Sequence, residues 1–373
     1  MVVNNIIIKG FSYKRAFIIT LLCTLNFIVN LFPVSFFHAT DLIFGNFFSL
    51  INAILFGPWI GFFSSLIGNL STFYIWDHGY AVIYMALQTL IIGFAYKQYR
   101  KYILEIVIAF WVIVGAPYVF ITYNFLLKIP IEISFMIILK QFLESTLSAI
   151  ALNLVVHIIN VKSIKTTKVI QNSIYKSIII KNLLCGIIII SSLTASYFML
   201  YSTYLDNMNA LRMELNISLN RNIGSEEKLK DILENKYSEN NINALETLPK
   251  ENFKKHFIVV NKNNIITWSD KSNIIGHTFA LDNLSYFYFD KDAVARMEKL
   301  SQRVVYDKKD LSVNGEDYEV FCFTSIRSIY NTLNGEKLKY FSATILLYFF
   351  VLILYNIFEK LNKNKNEHKK LSC

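Results

Sequence analysis

Few residues in this chain have the type and spacing for chemistry, and most of those lie in apolar surroundings. Lys140 and Glu144 stand four apart inside the apolar stretch 133–160. On a helix that spacing puts both on one face. A charge near the middle of a bilayer costs about 2.5–3.5 kcal/mol on the insertion scale, so the two are expected to pair and to face other protein. The pair reads either as a ligand or proton site or as a structural ion pair. His38 with Asp41, and Asp77 with His78, sit at the edges of apolar segments. They either converge on a cation or polar ligand, as imidazole and carboxylate do, or are hydrated loop residues. Further along, Trp268, Asp270, Tyr286 and Tyr288 combine aromatic surface with a polar group. That composition suits a small-ligand pocket, and it equally suits the core of a sheet. No phosphate-binding glycine loop, dinucleotide fingerprint, His-Glu-x-x-His motif, nucleophile elbow or kinase motif set occurs. No catalytic residues, metal or cofactor are therefore expected, and the chain is read as no enzyme.

The elements that must hold these residues are apolar segments of membrane length. The chain has 373 residues, 54% of them hydrophobic, and a mean hydropathy of +0.40. A crossing helix needs roughly 20 apolar residues. Eight such segments can be read, at about 16–34, 41–57, 59–76, 80–96, 103–123, 133–160, 182–203 and 340–358. The second and third meet at Gly57-Pro58 and read either as two crossings or as a re-entrant hairpin. Gly45, Gly57, Gly61 and Gly68 lie in that pair of segments and permit close helix approach. Pro117 beside Gly115 is expected to kink the fifth. Trp59, Trp76 and Tyr80 read as interfacial anchors.

Charge sets the orientation. Basic clusters precede the first segment (Lys9, Lys14, Arg15), follow the fourth (Lys97, Arg100, Lys101), follow the sixth (Lys162, Lys165, Lys168, Lys176, Lys181) and follow the eighth (Lys360, Lys363, Lys365, Lys369, Lys370). With eight crossings all four clusters share one side, which is then cytoplasmic, with both termini. The net charge of +10 thus belongs to topology and lipid headgroups, with no nucleic-acid partner implied. Residues 204–339 hold 20 acidic and 19 basic residues, so that stretch is near neutral. The apolar start is too long, and too closely followed by further segments, for a cleaved leader. Cys322 is the one cysteine in the polar stretch, and no disulfide framework is expected.

Six parts follow: a six-span membrane module at 1–160, a basic cytoplasmic connector at 161–181, a crossing helix at 182–203, an extracytoplasmic domain at 204–339, a second crossing helix at 340–358 and a cytoplasmic tail at 359–373. The domain reads as a helix over 205–236, a strand at 256–260, a turn at 261–264, a strand at 265–269, and further strands at 302–306, 311–313 and 318–324, with a turn at Gly315. The fold class is a polytopic α-helical membrane protein of about eight spans with a small α+β extracytoplasmic domain.

Two resemblances bear on function. The residues Asp41-Leu-Ile-Phe-Gly45, Leu55-Phe-Gly57 with Gly61, Trp76-Asp-His-Gly-Tyr80, Val114-Gly-Ala-Pro117 with Tyr123, and Leu139-Lys-Gln141 resemble the multi-pass input modules of bacterial sensor histidine kinases and diguanylate cyclases. Asp77 and Gly79 depart from the Trp-Gly-His-Pro-Tyr run of related modules. The segment Phe257–Asp270 followed by Ile275-Gly276 is similar to the strand–turn–strand of Cache or PAS-like sensor domains. These resemblances imply a sensor of the bacterial inner membrane with a small-molecule signal. They imply a partner too: a homodimer mate or a separate cytoplasmic kinase-type output, since no output domain follows the last span. Small-molecule transport by a substrate-capture subunit is the alternative, and a receptor that has lost its kinase half is a third reading.

Overall fold

The computed structural model describes residues 13–37, 40–76, 78–99, 102–163, 169–234, 255–270, 274–280 and 304–371. The chain is mostly helical and divides into two compact units. The first comprises Met1–Met199 with Asn334–Cys373, and the second Leu200–Leu333.

The first unit holds α1 (Tyr13–Leu31), a β1–β2 hairpin (Val34–Phe37 and Thr40–Leu42), α2 (Asn46–Phe56), α3 (Pro58–Gly68), α4 (Ser71–Trp76) and α5 (Tyr80–Tyr99). It continues with α6 (Ile103–Leu126), α7 (Ile131–Ser163), the first part of α8 (Val169–Asn222) and most of α10 (Arg327–Leu371). Among the described residues, five helices are long and apolar enough to cross a membrane: Tyr13–Leu31, Ile103–Leu126, Ile131–Val156, Ser177–Asn222 and Thr332–Leu361. The apolar parts of α2 and α5, Asn46–Phe56 and Tyr80–Tyr96, are shorter. The segments 41–57 and 59–76 are thus less continuous than their hydropathy implies. Strand β2 takes up Thr40–Leu42, and α3 breaks from α4 at Asn69-Leu70. Helix α7 runs on to Ser163 and α8 begins at Val169, so much of the expected loop 161–181 is helix.

Close approach organises α1, α2 and α3. A Cβ on Gly45 would lie 2.3 Å from Asn30 Oδ1, one on Gly68 2.4 Å from Asn26 Nδ2, and one on Gly61 2.3 Å from the Ala53 Cβ. Amide and hydroxyl side chains fill the seam. Asn26 Nδ2 donates to Ser49 Oγ at 2.6 Å and Asn30 Nδ2 to Asn69 Oδ1 at 2.8 Å. Ser65 Oγ, Asn69 Nδ2 and Thr89 Oγ1 all donate to Asn46 Oδ1. Small residues and shared hydrogen bonds are how helices associate where lipid removes the hydrophobic drive. Arg15 donates to the Phe56 carbonyl at 3.3 Å, so the α2–α3 turn reaches the first turn of α1. Gly57 at that turn has φ +116°, a conformation that favours glycine.

Helix α6 carries Pro117 between two π-helical turns, Trp111–Gly115 and Ile121–Leu126. Wide turns of this kind are frequent at functional sites. Gly115 leaves room for an indole: a Cβ there would meet the Trp111 ring at 2.7 Å.

The second unit packs the end of α8 and α9 (Glu226–Leu233) with an antiparallel sheet of order β4-β3-β6-β5. The strands are β3 (His256–Asn261), β4 (Ile266–Ser269), β5 (Val304–Val313) and β6 (Glu316–Ser325). The expected helix over 205–236 is two helices, broken after Asn222 and restarted by Ser225, whose hydroxyl accepts from Lys228 N. The strands expected at 302–306 and 311–313 are one long strand. Its hairpin turns at Asn314-Gly315, φ +54° and +82°, as a tight two-residue connection requires. Ile258, Val260, Ile266, Ile274, Phe321 and Phe323 form the core on one sheet face.

Candidate functional site

The site assembles around the two charges of α7. Lys140 Nζ lies 3.4 Å from Glu144 Oε1. Both are nearly sealed, at 6% and 4% exposure, so neither is a surface pair of negligible worth. Each is also tied to β2 and the segment after it. Lys140 donates to the Asp41 carbonyl at 2.7 Å, and Ile43 N–H donates to Glu144 Oε1 at 3.1 Å. Asp41 turns its own carboxylate the other way, accepting from Ser35 Oγ at 2.8 Å across the hairpin.

Aromatic rings close over the pair. Lys140 Nζ lies 5.1 Å from the centroid of the Trp76 ring, within cation–π range. Trp76 stacks on His78 at 6.2 Å, and His78 meets Tyr80 at 5.5 Å and the edge of Tyr123 at 5.3 Å. Tyr84 meets Trp111 at 5.7 Å and Tyr118 at 6.4 Å, and is in electrostatic reach of Glu144.

Asp41, His78, Lys140 and Glu144 are therefore brought together from three distant parts of the chain. His38 and Asp77 lie outside the described residues, as do Tyr286 and Tyr288. Trp268 and Asp270 belong to the second unit. Trp268 pairs across from Val259. Asp270 Oδ2 lies 2.7 Å from His256 Nδ1, and His256 is on the same face of β3 as Ile258, since alternate residues share a face.

Sequence reading missed much of the site's wall. Trp76, read from the sequence as a membrane anchor, also lies over Lys140. Tyr84, Gln88 and Trp111 received no role, although Tyr84 and Gln88 share the i, i+4 spacing that marked Lys140 and Glu144. Lys337 was expected in the polar domain, and is instead 1% exposed on the part of α10 belonging to the first unit. Its Nζ lies 5.9 Å from the Phe37 ring. A second pair, buried Lys181 Nζ to half-buried Glu105 Oε1 at 2.9 Å, ties α8 to α6.

No group of three or more His, Cys, Asp or Glu side chains among the described residues is placed to hold a metal ion. The arrangement offers one compensated charge pair, aromatic walls and hydrogen-bonding groups inside a helical bundle. No family model, curated protein or solved structure matches the chain.

Proposed function

We propose that the chain is the sensory module of a bacterial membrane receptor, and that the Lys140–Glu144 site binds its signal. The β1–β2 hairpin carries this reading, because it touches the site and the later helices at once. Its Asp41 carbonyl holds Lys140, and Ile43 just after it holds Glu144. Its Phe36 ring packs 5.5 Å from Phe341 of α10 and 6.2 Å from Tyr197 of α8. A ligand that repositions Lys140 or Glu144 acts on the hairpin, and the hairpin acts on α8 and α10. Such a ligand shifts the equilibrium only by its different affinity for the two arrangements.

In this reading the chain crosses eight times, with both termini cytoplasmic and the second unit extracytoplasmic. The Arg15–Phe56 contact supports a cytoplasmic α2–α3 turn, since it comes level with the basic end of α1. A Cache or PAS-like reading of the second unit draws its support from a small antiparallel sheet packed with a helix. The output is a kinase- or cyclase-type partner.

Crosslinking in the native membrane followed by mass spectrometry tests this. Recovery of a kinase, a cyclase or a second receptor chain supports it, and recovery of none counts against it. A transport role is the second reading, favoured by the sealed polar site in a short-looped bundle. Vesicle uptake separates the two, because a receptor carries no flux.

A further inference from the structure

Two buried polar clusters in the first unit differ in one respect. The asparagine–serine seam between α1, α2, α3 and α5 is hydrogen-bonded nearly throughout, and reads as structural glue. The cluster between α5, α6 and α7 is not. Tyr84 Oη, Gln88 Nε2, Trp111 Nε1 and Gln141 Oε1 have no hydrogen-bond partner, and each residue is no more than 2% exposed. Burying a polar atom without a partner is costly, so four in one region point to a bound partner.

They lie together and beside the charge pair. Tyr84 and Trp111 are in ring contact, and Tyr84 is in electrostatic reach of Glu144 and Tyr123. Gln141 lies within reach of Tyr123, and its carbonyl is open. Gln88, one turn beyond Tyr84 on α5, accepts from Ser145 Oγ at 3.2 Å, which leaves its amide N–H open. The open groups are thus a phenol, an amide N–H and an indole N–H against one carbonyl acceptor.

We infer that this site takes a small, uncharged, planar molecule with ring carbonyl oxygens, a quinone-like ring. The inference rests on the reading that the Lys140–Glu144 region binds a ligand. Donors outnumber acceptors, so the ligand must be rich in acceptors. Lys140 and Glu144 already neutralise each other, so a net charge on the ligand would face no free counter-charge. The rings of Trp76, Tyr84, Trp111 and Tyr123 favour a flat partner. The site lies among apolar helices of membrane length, so a molecule that partitions into lipid reaches it.

The test uses the full chain in lipid nanodiscs, with tryptophan fluorescence quenching and thermal unfolding as readouts. Three probes share a fused ring: 2,3-dimethyl-1,4-naphthoquinone, naphthalene and 1-naphthoate. Saturable binding is expected for the quinone, with the other two at least about tenfold weaker. Trp111→Phe and Gln88→Met each remove one donor, and each should weaken the quinone about tenfold while leaving naphthalene unchanged. If one variant does not fold, the other carries the comparison. Equal binding of naphthalene, or variants that bind the quinone normally, overturns the proposal. Tight binding of 1-naphthoate that the variants abolish overturns the ligand class and keeps the site. Failure of all three probes with folding intact also overturns the class. The wider receptor reading then stands or falls on partner capture, which needs no ligand.

Discussion

Lys140→Met and Glu144→Leu, singly and together, distinguish a pair that serves recognition from one that serves stability. In the wild type Glu144 is held by Lys140 at 3.4 Å and by Ile43 N–H at 3.1 Å. Lys140→Met leaves the carboxylate at 4% exposure with only the amide. Removing one partner of a buried pair costs about 3–5 kcal/mol, whereas replacing both by well-packed apolar residues is neutral or stabilising by about 1–4 kcal/mol. Two side contacts shape the numbers. Lys140→Met also frees the Asp41 carbonyl and the Trp76 ring, and Glu144→Leu leaves Ile43 N–H without its acceptor. The double variant therefore forfeits about 1–3 kcal/mol for each orphaned backbone group, which offsets its gain and leaves it closer to wild type than either single variant. Reversible unfolding of the full chain in mixed micelles, run as a double-mutant cycle, measures all three. The expectation is a single variant destabilised by about 3 kcal/mol or more and a double variant closer to wild type. A double variant as unstable as the single one would show that the pair holds the fold together, and the recognition argument would lose its basis.

Three further outcomes follow. Gly45→Ala drives a Cβ to 2.3 Å from Asn30 Oδ1 and 2.4 Å from the Asn26 carbonyl oxygen, and should cost about 1–3 kcal/mol by overpacking, read as a lower melting temperature; an unchanged melt would mean α1 and α2 are farther apart. A cysteine in place of exposed Trp59, beside the α2–α3 turn, should react with a membrane-impermeant maleimide only in inside-out vesicles; reaction from the outside would invert the proposed topology. In the second unit, His256→Phe removes the 2.7 Å bond to Asp270, worth about 1.5–3 kcal/mol for a bond to a charged group. Faster amide exchange across β3 and β4 is the expected signature, and unaltered protection would show that the bond carries no weight.

What was legible in the sequence depended on whether a local pattern decided it. Hydropathy found the long helices because twenty apolar residues in a row have few other uses. It overstated 41–57 and 59–76, where the breaks come from the β1–β2 hairpin and from Asn69-Leu70 inside apolar runs. The turn at Gly315 was plain because a two-residue hairpin demands positive φ. The sequence splits β5 in two because Asp307, Lys308, Lys309 and Asp310 interrupt its apolar pattern. In three dimensions Lys308 simply donates across the hairpin to Glu319 at 2.9 Å, and that bond raises the lysine's pKa above its ordinary value.

The site was half legible. Lys140 and Glu144 announce themselves, because charges in an apolar helix need a reason. Asp41 and His78 were visible as polar residues at segment edges. The walls were not, since Tyr84, Trp111 and Tyr123 look like any aromatic in a membrane segment. Only packing shows which tyrosines face the pair and which polar atoms go unanswered. Lys337 was assigned to the polar stretch because no periodicity marks where a helix begins to be buried.

The central claim is that the state of the Lys140–Glu144 site reaches α8 and α10. Spin labels at exposed Ile180 and Phe358 read it directly, by electron–electron distance measurement on the full chain in nanodiscs. The comparison is between wild type and the Lys140→Met/Glu144→Leu double variant. Coupling through the β1–β2 hairpin predicts that the variant redistributes the α8–α10 distances between two populations. Superimposable distributions, in a variant whose unfolding shows it is fully folded, would contradict the account.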